Sequence, residues 1–458
     1  MRPVLILLCI LWTPFMRAQT LAIQHVTVID ATGKPAQPDL TVVVERDRIA
    51  TVGAARKVRI PKCAQVIDGK GKFLIPGLWD MHVHGAADSR SAWSYRLYLA
   101  NGVVGVREMF GPPDANAWRA KHAAEEGPSP RVYLASPIVD GPMPVWRNSI
   151  VASNAAEGRQ AVAQQKERGA DFIKVYSKLP RDAYFAIADE ARARGIPFAG
   201  HVPGSVTAAE ASDAGQKSME HLFGVTLACS AQEEALLAEA QAAVGATFYG
   251  IFARAIESYD ENKAQSLFAR FVKNGTWQCP TLTVLRSVTR LTDTGFKDDQ
   301  RLKYLPQAAK ASWGTAAFIG MPPAGQAALK TFFDGNIRIV GGMHRAGVGI
   351  VAGTDTMNPY CFPGFSLHDE LSLLVEAGLP PMAALQASTR EAARFIGQLD
   401  QRGTIEPGKI ADLVLLDRDP LADIHNTRTI RAVVLGGKLM PRAALDAMLT
   451  QAEVSAAK

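Results

Sequence analysis

Cysteine is scarce in this sequence of 458 residues, and its spacing indicates no site. One of the five cysteines lies in an apolar N-terminal run. The others are far apart and form no CxxC pair: Cys63, Cys229, Cys279 and Cys361. An oxidising compartment would permit disulfides among them, but the pairing cannot be deduced from the sequence. Buried or free thiols explain these four residues equally well.

Other signatures are also missing, and each absence disfavours a class of protein. The 50 lysines and arginines against 44 acidic residues give a net charge of +6 without a basic block, which argues against a nucleic-acid partner. No GxxxxGKS/T phosphate loop and no GxSxG elbow occur, which disfavours P-loop enzymes and serine hydrolases. The glycines Gly347, Gly349 and Gly353 are spaced GxGxxxG within a strand-like run, so the dinucleotide-binding fingerprint fails.

Long hydrophobic runs are absent beyond the N-terminus. Arg2 precedes nine apolar residues at 4–12, which are too few to span a bilayer, and Ala18 offers a small residue at a cleavage point. We predict a signal peptide over residues 1–18; the alternatives are an apolar first strand and a membrane anchor. Since no later segment has eighteen apolar residues in a row, we expect a secreted or periplasmic protein without membrane contact after cleavage.

The two ends of the chain share one pattern. Residues 19–76 and 400–450 contain short stretches that alternate β-branched and polar residues and are interrupted by glycine and proline. This pattern is typical of short strands. We predict that the two ends pair into one small β domain beside the middle of the chain.

The middle of the chain, residues 77–399, alternates apolar strands with helical stretches, which is typical of an α/β fold of the (β/α)8 TIM-barrel type. The segment at about 228–345 is longer than one β/α step and has helical periodicity. We therefore predict a helical insertion there, where a lid or a substrate wall could form. The eight predicted strands are 77–83, 102–109, 131–136, 171–177, 196–202, 216–222, 276–284 and 348–355.

The first candidate for chemistry is the pair His82 and His84 at the end of the first predicted barrel strand. Side chains at i and i+2 of a strand point the same way, so both imidazoles project from one face. Barrel active sites form at this end of the strands, and two fixed nitrogen donors are suited to a metal ion. The pair alone is weak evidence, because many chains contain HxH by chance.

Four further candidates lie at the ends of later predicted strands. Lys174 lies in the fourth strand, His201 ends the fifth, His221 ends the sixth and Asp355 ends the eighth. Buried charges and imidazoles need partners, because desolvation without them is costly. A shared metal centre would supply these partners together, and we predict one. The alternative is a set of independent core or surface residues.

Six segments together resemble the amidohydrolase superfamily: DMHVHG, IKVY, AGHV, MEHL, AGTDT and IEPGKIADLVLLD. The resemblance covers about residues 22–440. Within the superfamily the sequence looks like the branch of imidazolonepropionase-like proteins and metal-dependent Xaa-Pro dipeptidases and carboxypeptidases. The resemblance implies a TIM barrel whose small β domain is a β-sandwich built from both chain ends.

The resemblance also implies a binuclear site for two divalent ions. An unmodified lysine would repel two cations, so the lysine of such a site would serve as an anionic carbamate. The alternative is an uncarboxylated lysine beside a single ion. Zinc suits histidine and carboxylate ligands first, with manganese, cobalt and iron as alternatives. The first ion would be held by His82, His84 and Asp355, the second by His201 and His221, and carboxylated Lys174 would bridge them.

The implied activity is hydrolysis of C–N bonds by a metal-bound hydroxide that attacks the carbonyl carbon of an amide or peptide-like substrate. Asp355 would take the proton from the water and deliver it to the leaving nitrogen. Dipeptides and N-acyl amino acids are the predicted substrates. Two alternatives stay open: a cyclic amidase or deaminase on the same scaffold, and a non-catalytic secreted metal-binding protein.

Three more residues are candidate substrate contacts. Tyr176 shares the face of Lys174 and could hydrogen-bond a substrate carbonyl or carboxylate, or pack as an ordinary barrel tyrosine. Arg107 could bind a substrate carboxylate, or pair with a local acid such as Glu108. His368 could line the pocket or support the metal ligands, or be a satisfied histidine at a helix start. A homo-oligomer stays open, because the sequence reveals no interface.

Overall fold

Mainly antiparallel strands at the chain ends and parallel strands in the middle form a mixed α/β fold, as predicted. The predicted signal peptide, residues 1–18, lies outside the described residues. The computed structural model describes residues 20–85, 87, 91–125, 127–241, 243, 245–291, 298–314 and 321–457.

Both ends of the chain contribute to one eight-stranded sheet. Its strands are β1 (Thr20–Val28), β2 (Gln37–Glu45), β3 (Arg48–Ala54), β4 (Gln65–Asp68), β5 (Phe73–Pro76), β15 (Leu413–Leu416), β16 (Ile430–Leu435) and β17 (Lys438–Pro441). The antiparallel pairing of β5 with β15 joins the two ends, with Leu74 opposite Leu415. The predicted pairing of the ends is confirmed. The second layer of a sandwich and the domain bounds 19–76 and 400–450 stay predictions.

The strands of the middle region pair in parallel. Strands β6 to β8 form a three-stranded sheet, and β9 to β14 a six-stranded one. Isolated parallel bridges join Ala135 to Phe172, Gln278 to Ile350, and Val83 to Thr356. The strands are β6 (Leu78–Val83), β7 (Val103–Glu108), β8 (Arg131–Leu134), β9 (Val139–Asp140), β10 (Ile150–Val151), β11 (Ile173–Val175), β12 (Phe198–Gly200), β13 (Ser218–Glu220) and β14 (Trp277–Cys279).

In the middle region, the predicted strands differ from the observed ones mainly in the last two, 276–284 and 348–355. The strand predicted at 276–284 stops at Cys279 and is followed by a helix that begins at Leu282. Pro280 has no N–H for a ladder, and Thr281 has a left-handed φ of 49°. The segment predicted as the eighth strand, 348–355, has a bridge at Ile350 but no strand.

Helices alternate with these strands and fill the long segment before residue 345. Strand β14 divides the predicted helical insertion, 228–345, into two helical parts. The C-terminal helix, which we did not predict, follows β17 directly. The helices are α1 (Ser91–Ala100), α2 (Ala115–Ala123), α3 (Ala155–Glu167), α4 (Arg181–Arg194), α5 (Ala208–Asp213), α6 (Phe223–Ala228), α7 (Glu233–Ala240), α8 (Gly245–Glu257), α9 (Glu261–Asn274), α10 (Leu282–Thr289), α11 (Gln307–Gly314), α12 (Pro323–Arg345), α13 (Phe365–Glu376), α14 (Pro381–Ala387), α15 (Arg390–Phe395) and α16 (Arg442–Ala456), with 3-10 turns at Gln300–Tyr304 and Ile424–Arg428.

Two questions left by the sequence concern the state of the cysteines and the presence of a membrane-spanning helix. Cys229, Cys279 and Cys361 are buried free thiols, and Cys63 is exposed and free. No helix within the described ranges combines the length and apolar character needed to cross a membrane.

The pairing of β5 with β15 predicts that Leu74 contributes strongly to the stability of the protein. Leu74 is fully buried and pairs with both Val28 and Leu415. Leu74→Ala should destabilise the protein by about 2–5 kcal/mol, because it removes apolar contacts and leaves a cavity. Val66→Ala, at a half-exposed position of the same sheet, should change the stability by no more than about 0.5 kcal/mol. Thermal unfolding followed by circular dichroism measures both, and equal losses would contradict this account of the pairing.

Candidate metal centre

His82 and His84 meet the other predicted ligands where the parallel strands end. His82 lies in β6 and His84 one residue beyond it, and their ring centroids are 5.3 Å apart. The ring of His221, which follows β13, is 4.6 Å from that of His82. The ring of His201, which follows β12, is 4.8 Å from that of His221. Three separate strands therefore bring four imidazoles into one cluster.

Asp355 lies among these imidazoles. Its Oδ1 is 3.1 Å from His84 Nε2 and 3.4 Å from His82 Nε2, and its Oδ2 is 3.8 Å from His221 Nδ1. One ligand atom each from His82, His221 and Asp355 lie within 4.8 Å of one another. Asp355 and His221 have left-handed φ values of 55° and 64°, which turn the chain sharply at the site.

The electrostatics of the cluster favour neutral imidazoles beside an ionised carboxylate. Burial lowers the pKa of His82 and His201 well below the usual value, and that of His221 to about 4. Burial alone would raise the pKa of Asp355, but His221 and His84 outweigh it and the pKa is lowered. Neutral imidazoles with free lone pairs are the form that binds metal ions.

Lys174 of β11 lies buried beside the cluster. Its Nζ has no hydrogen-bond partner among the described residues. Burial lowers the pKa of Lys174 to about 8, against the opposing effect of the carboxylates of Glu220 and Asp355. A buried amine without a partner is costly in a folded protein, so this position is suited to a chemically modified or ligand-bound lysine.

Three of the histidines have a hydrogen-bond partner at Nδ1, so their Nε2 atoms are left for another partner. His82 Nδ1 lies 2.7 Å from the Glu220 carboxylate. His201 Nδ1 lies 2.8 Å from the Ser177 hydroxyl, and His221 Nδ1 lies 2.7 Å from the Thr281 hydroxyl. His82 Nε2 is buried and makes no hydrogen bond to any residue that the structure describes. Partners of this kind fix the ring orientation of metal-binding histidines.

Glu220 belongs to the candidate site, and the sequence analysis missed it. Besides the bond to His82, it accepts two hydrogen bonds from Arg107 Nη2, at 3.0 and 2.9 Å, and one from the Ser218 hydroxyl. Glu220 and Arg107 are both fully buried. The signal available in the sequence was an acidic residue within a predicted strand, directly before a predicted ligand.

A large cavity opens beside the cluster. It has a volume of about 1130 Å³ and is lined by His84, His201, His221, Asp355 and many apolar side chains. Tyr176 also lines it, as the substrate-contact prediction requires, and its ring stacks on that of His201 with centroids 3.9 Å apart. A substrate in this cavity would contact both the candidate ligands and Tyr176.

The predictions of Arg107 and His368 as substrate contacts are corrected, because both side chains have other partners. Arg107 is buried, and its guanidinium is bonded to Glu220, Ser218 and the Met81 carbonyl rather than available to a substrate. It pairs with Glu220 and not with neighbouring Glu108, because adjacent strand residues point to opposite faces. His368, in α13, is also buried; its ring nitrogens lie 2.9 Å from Thr427 Oγ1 and 3.1 Å from the Asn101 carbonyl oxygen. This fits the alternative of a satisfied histidine near a helix start.

The residues present fit a divalent metal site. Four imidazoles and a carboxylate converge, and two buried nitrogens, His82 Nε2 and Lys174 Nζ, have no hydrogen-bond partner among the described residues. A second group of potential ligands, His82, Glu220 and Cys279, is less suitable, because the Arg107 cation already neutralises its carboxylate. The group around His82, His221 and Asp355 is therefore the candidate metal centre.

Comparison with known proteins places this chain in a family. The model of the amidohydrolase family matches residues 73–440. The ochratoxinase of Aspergillus niger is 24% identical over 433 residues, which cover 80% of this chain and 75% of the relative. The structure of a bottromycin amidohydrolase matches with a TM-score of 0.76 and 25% identity, covering 96% of this chain and 91% of that one. A Xaa-Pro dipeptidase with bound methionine matches with a TM-score of 0.65 and 20% identity, covering 92% and 100%.

The family prediction made from the sequence motifs is therefore confirmed. The match extends from β5 to β17 and includes the six candidate ligand residues. The protein belongs to the amidohydrolase family and is a hydrolase that acts on carbon–nitrogen bonds.

Proposed function

We propose that the protein is a metal-dependent hydrolase that cleaves amide or peptide-like bonds at the cluster around Asp355. The observation that carries this proposal is the convergence of four histidines, Lys174 and Asp355 beside one cavity, at the ends of parallel strands. Histidine and carboxylate ligands with a buried, unpartnered lysine are suited to divalent ions, with zinc first.

We propose further that the parallel strands form the predicted (β/α)8 barrel. In support, successive ladders and bridges link β6 through β14, and Met81 N donates a hydrogen bond to the Ala352 carbonyl, so the segment after β14 lies beside β6. The ends of such strands are where this fold binds its substrates.

The proposed binuclear site uses the six residues in two groups. His82, His84 and Asp355 would hold one ion, and His201 and His221 would hold the other. Lys174 would bridge the two as a carbamate, which would give its unpartnered Nζ a role. Bound ions would supply a water of lowered pKa and polarisation of the scissile carbonyl.

The side chains around the cavity have separate tasks in this proposal. Asp355 accepts a proton at its carboxylate, which its low pKa keeps ionised, and returns it to the leaving nitrogen. Tyr176 holds the substrate carbonyl or carboxylate through its hydroxyl. Lys178 is the one lysine or arginine among the described residues that line the cavity, and it could pair with a substrate carboxylate.

Dipeptides and N-acyl amino acids are the proposed substrates, because both carry an amide bond and a carboxylate. Release of amine from a library of such compounds, measured together with the metal content, tests this. Turnover confined to cyclic amides or to exocyclic amines would favour a cyclic amidase or a deaminase. Bound metal without turnover of any amide, cyclic amide or lactone would favour a non-catalytic metal-binding protein.

Secretion or periplasmic location is also a proposal. It is supported by Arg2, the nine apolar residues at 4–12 and the small residue Ala18. A mature protein that starts after Ala18 would have its first residues close to β1, which begins at Thr20.

The role of Asp355 can be separated from metal binding. Asp355→Asn should keep much of the bound metal but lose nearly all turnover, because an amide accepts no proton under these conditions. Metal analysis and amine release measure the two properties. Asp446→Asn, at an exposed position of α16, is the control and should keep full activity. Full activity of Asp355→Asn would rule out its assigned role.

Lys174 provides a test of the two-ion site. Lys174→Ala should lower the metal content from about two ions per chain to one or fewer, because the bridging anion is lost. The matched control is Lys217→Ala, in which a partly buried lysine outside the cavity is removed and the metal content should not change. An unchanged two-ion content in Lys174→Ala would exclude a bridging carbamate.

Thr281 tests the orientation of His221. Thr281→Val removes the hydroxyl bonded to His221 Nδ1 while keeping the shape of the side chain. Metal affinity should fall by about tenfold or more, because the ring loses its fixed orientation. Thr281→Ser keeps a hydroxyl and should retain most of the affinity. Competition with a chelator of known affinity measures both, and equal affinity of wild type and Thr281→Val would speak against this role.

A further inference from the structure

The loop between β9 and β10, residues 141–149, presents apolar side chains to solvent beside the cavity. Met143, Val145 and Trp146 are exposed by 84%, 51% and 52%. Exposed large apolar groups that are clustered indicate an interaction site more than scattered ones do. Of the three, Val145 and Trp146 also line the cavity that contains the candidate metal centre.

This loop is held in place by Asp140, which is buried. The carboxylate of Asp140 accepts hydrogen bonds from Val145 N at 2.9 Å and from Lys178 N at 2.7 Å. A Cβ atom added to Gly141 would lie 1.9 Å from the Lys178 carbonyl oxygen, so the two backbones are in direct contact. The apolar side chains are thus carried by a loop that is tied to the segment following β11.

Trp146 is linked to the candidate metal ligands. Its indole Nε1 donates a hydrogen bond of 2.8 Å to the Tyr176 hydroxyl. The Tyr176 ring in turn stacks on His201. A group bound against Trp146 would therefore lie next to the residue that we expect to hold the scissile amide.

A second part of the cavity lining is also apolar. Phe223, Phe248 and Phe252 line it and pack against one another, with ring centroids 4.7 to 5.5 Å apart. Phe223 lies 6.0 Å from His221, so this aromatic wall begins at the candidate metal centre. The volume of about 1130 Å³ exceeds the usual ~300–1,000 Å³ of small-molecule pockets. A dipeptide of two small residues would leave most of these apolar walls in contact with water.

We propose that Val145 and Trp146 form a specificity element for a bulky apolar group, an aromatic ring system or a long acyl chain, attached to one side of the scissile amide. This inference rests on the proposed function and narrows it. The substrate class is an amide with a large apolar part, held between Trp146 and the aromatic wall around Phe223. Burial of that part favours binding in proportion to the apolar area removed from water.

The test compares N-decanoyl-alanine, below its micelle concentration, with N-acetyl-alanine. In the metal-loaded wild type, kcat/KM should be at least about tenfold higher for the decanoyl substrate. Trp146→Ala should reduce this preference by about tenfold, mainly through KM. Trp146→Phe keeps a ring but loses the indole N–H, so it should retain most of the preference while kcat falls. Met143→Ser is the matched control in the same loop and should leave both kcat/KM values unchanged.

The outcomes separate this inference from the proposed function. An equal preference in wild type and Trp146→Ala overturns the inference even if the enzyme is an amidase. If neither compound is hydrolysed, the proposed function fails for this class, and titration calorimetry of the two compounds decides the inference. Tighter decanoyl binding that is lost in Trp146→Ala supports it, and equal binding overturns it. If Met143→Ser and Trp146→Ala both dissociate an oligomer with the preference unchanged, the loop is a protein interface instead.

Discussion

The buried ion pair between Glu220 and Arg107 is the interaction on which the arrangement of the site depends. Both side chains are enclosed between parallel strands, where a lone charge would be strongly destabilising. Besides bonding to each other, the two side chains have further hydrogen-bond partners. Arg107 donates to the Met81 carbonyl and to Ser218, and Glu220 accepts from the Ser218 hydroxyl. The remaining acceptor capacity of Glu220 is directed at His82 Nδ1, so the same carboxylate that neutralises Arg107 also sets the orientation of a candidate metal ligand.

His221 is also oriented by a residue that takes part in further contacts. Thr281 contacts His221, and the backbone N–H groups of the two residues that follow it donate to the buried carboxylate of Glu370 in α13. Burial raises the pKa of Glu370 to about 7, while the N–H groups of Thr283 and Leu282 oppose that rise. The helix α10 that begins here is thereby fixed relative to α13, and the ring of His221 is fixed with it. The orientation of this candidate ligand is therefore set by residues on neighbouring elements as well as by the strand that precedes it.

The six candidate ligands could be predicted because the sequence pattern placed each one within an expected strand or at its end, and the ends of parallel strands meet at one edge. Their partners could not, since Glu220 is far from His82 in sequence and nothing local indicates their contact. For Arg107, only the alternative of a pair with Glu108 had a local signal against it, because neighbouring strand residues face opposite ways. The seventh strand was predicted too long, because its apolar pattern continues past Pro280 into a helix. The role proposed for Trp146 depends on loop geometry, for which the sequence offers no periodicity.

The pairing of β5 with β15 also has a consequence for how the chain acquires its structure. Leu74 finds its partner, Leu415, only when nearly the whole polypeptide is present. Contacts between such distant residues are formed at a large entropic cost of loop closure, and they slow folding. A nascent chain on the ribosome would therefore hold β5 without its neighbour β15 until synthesis is almost complete.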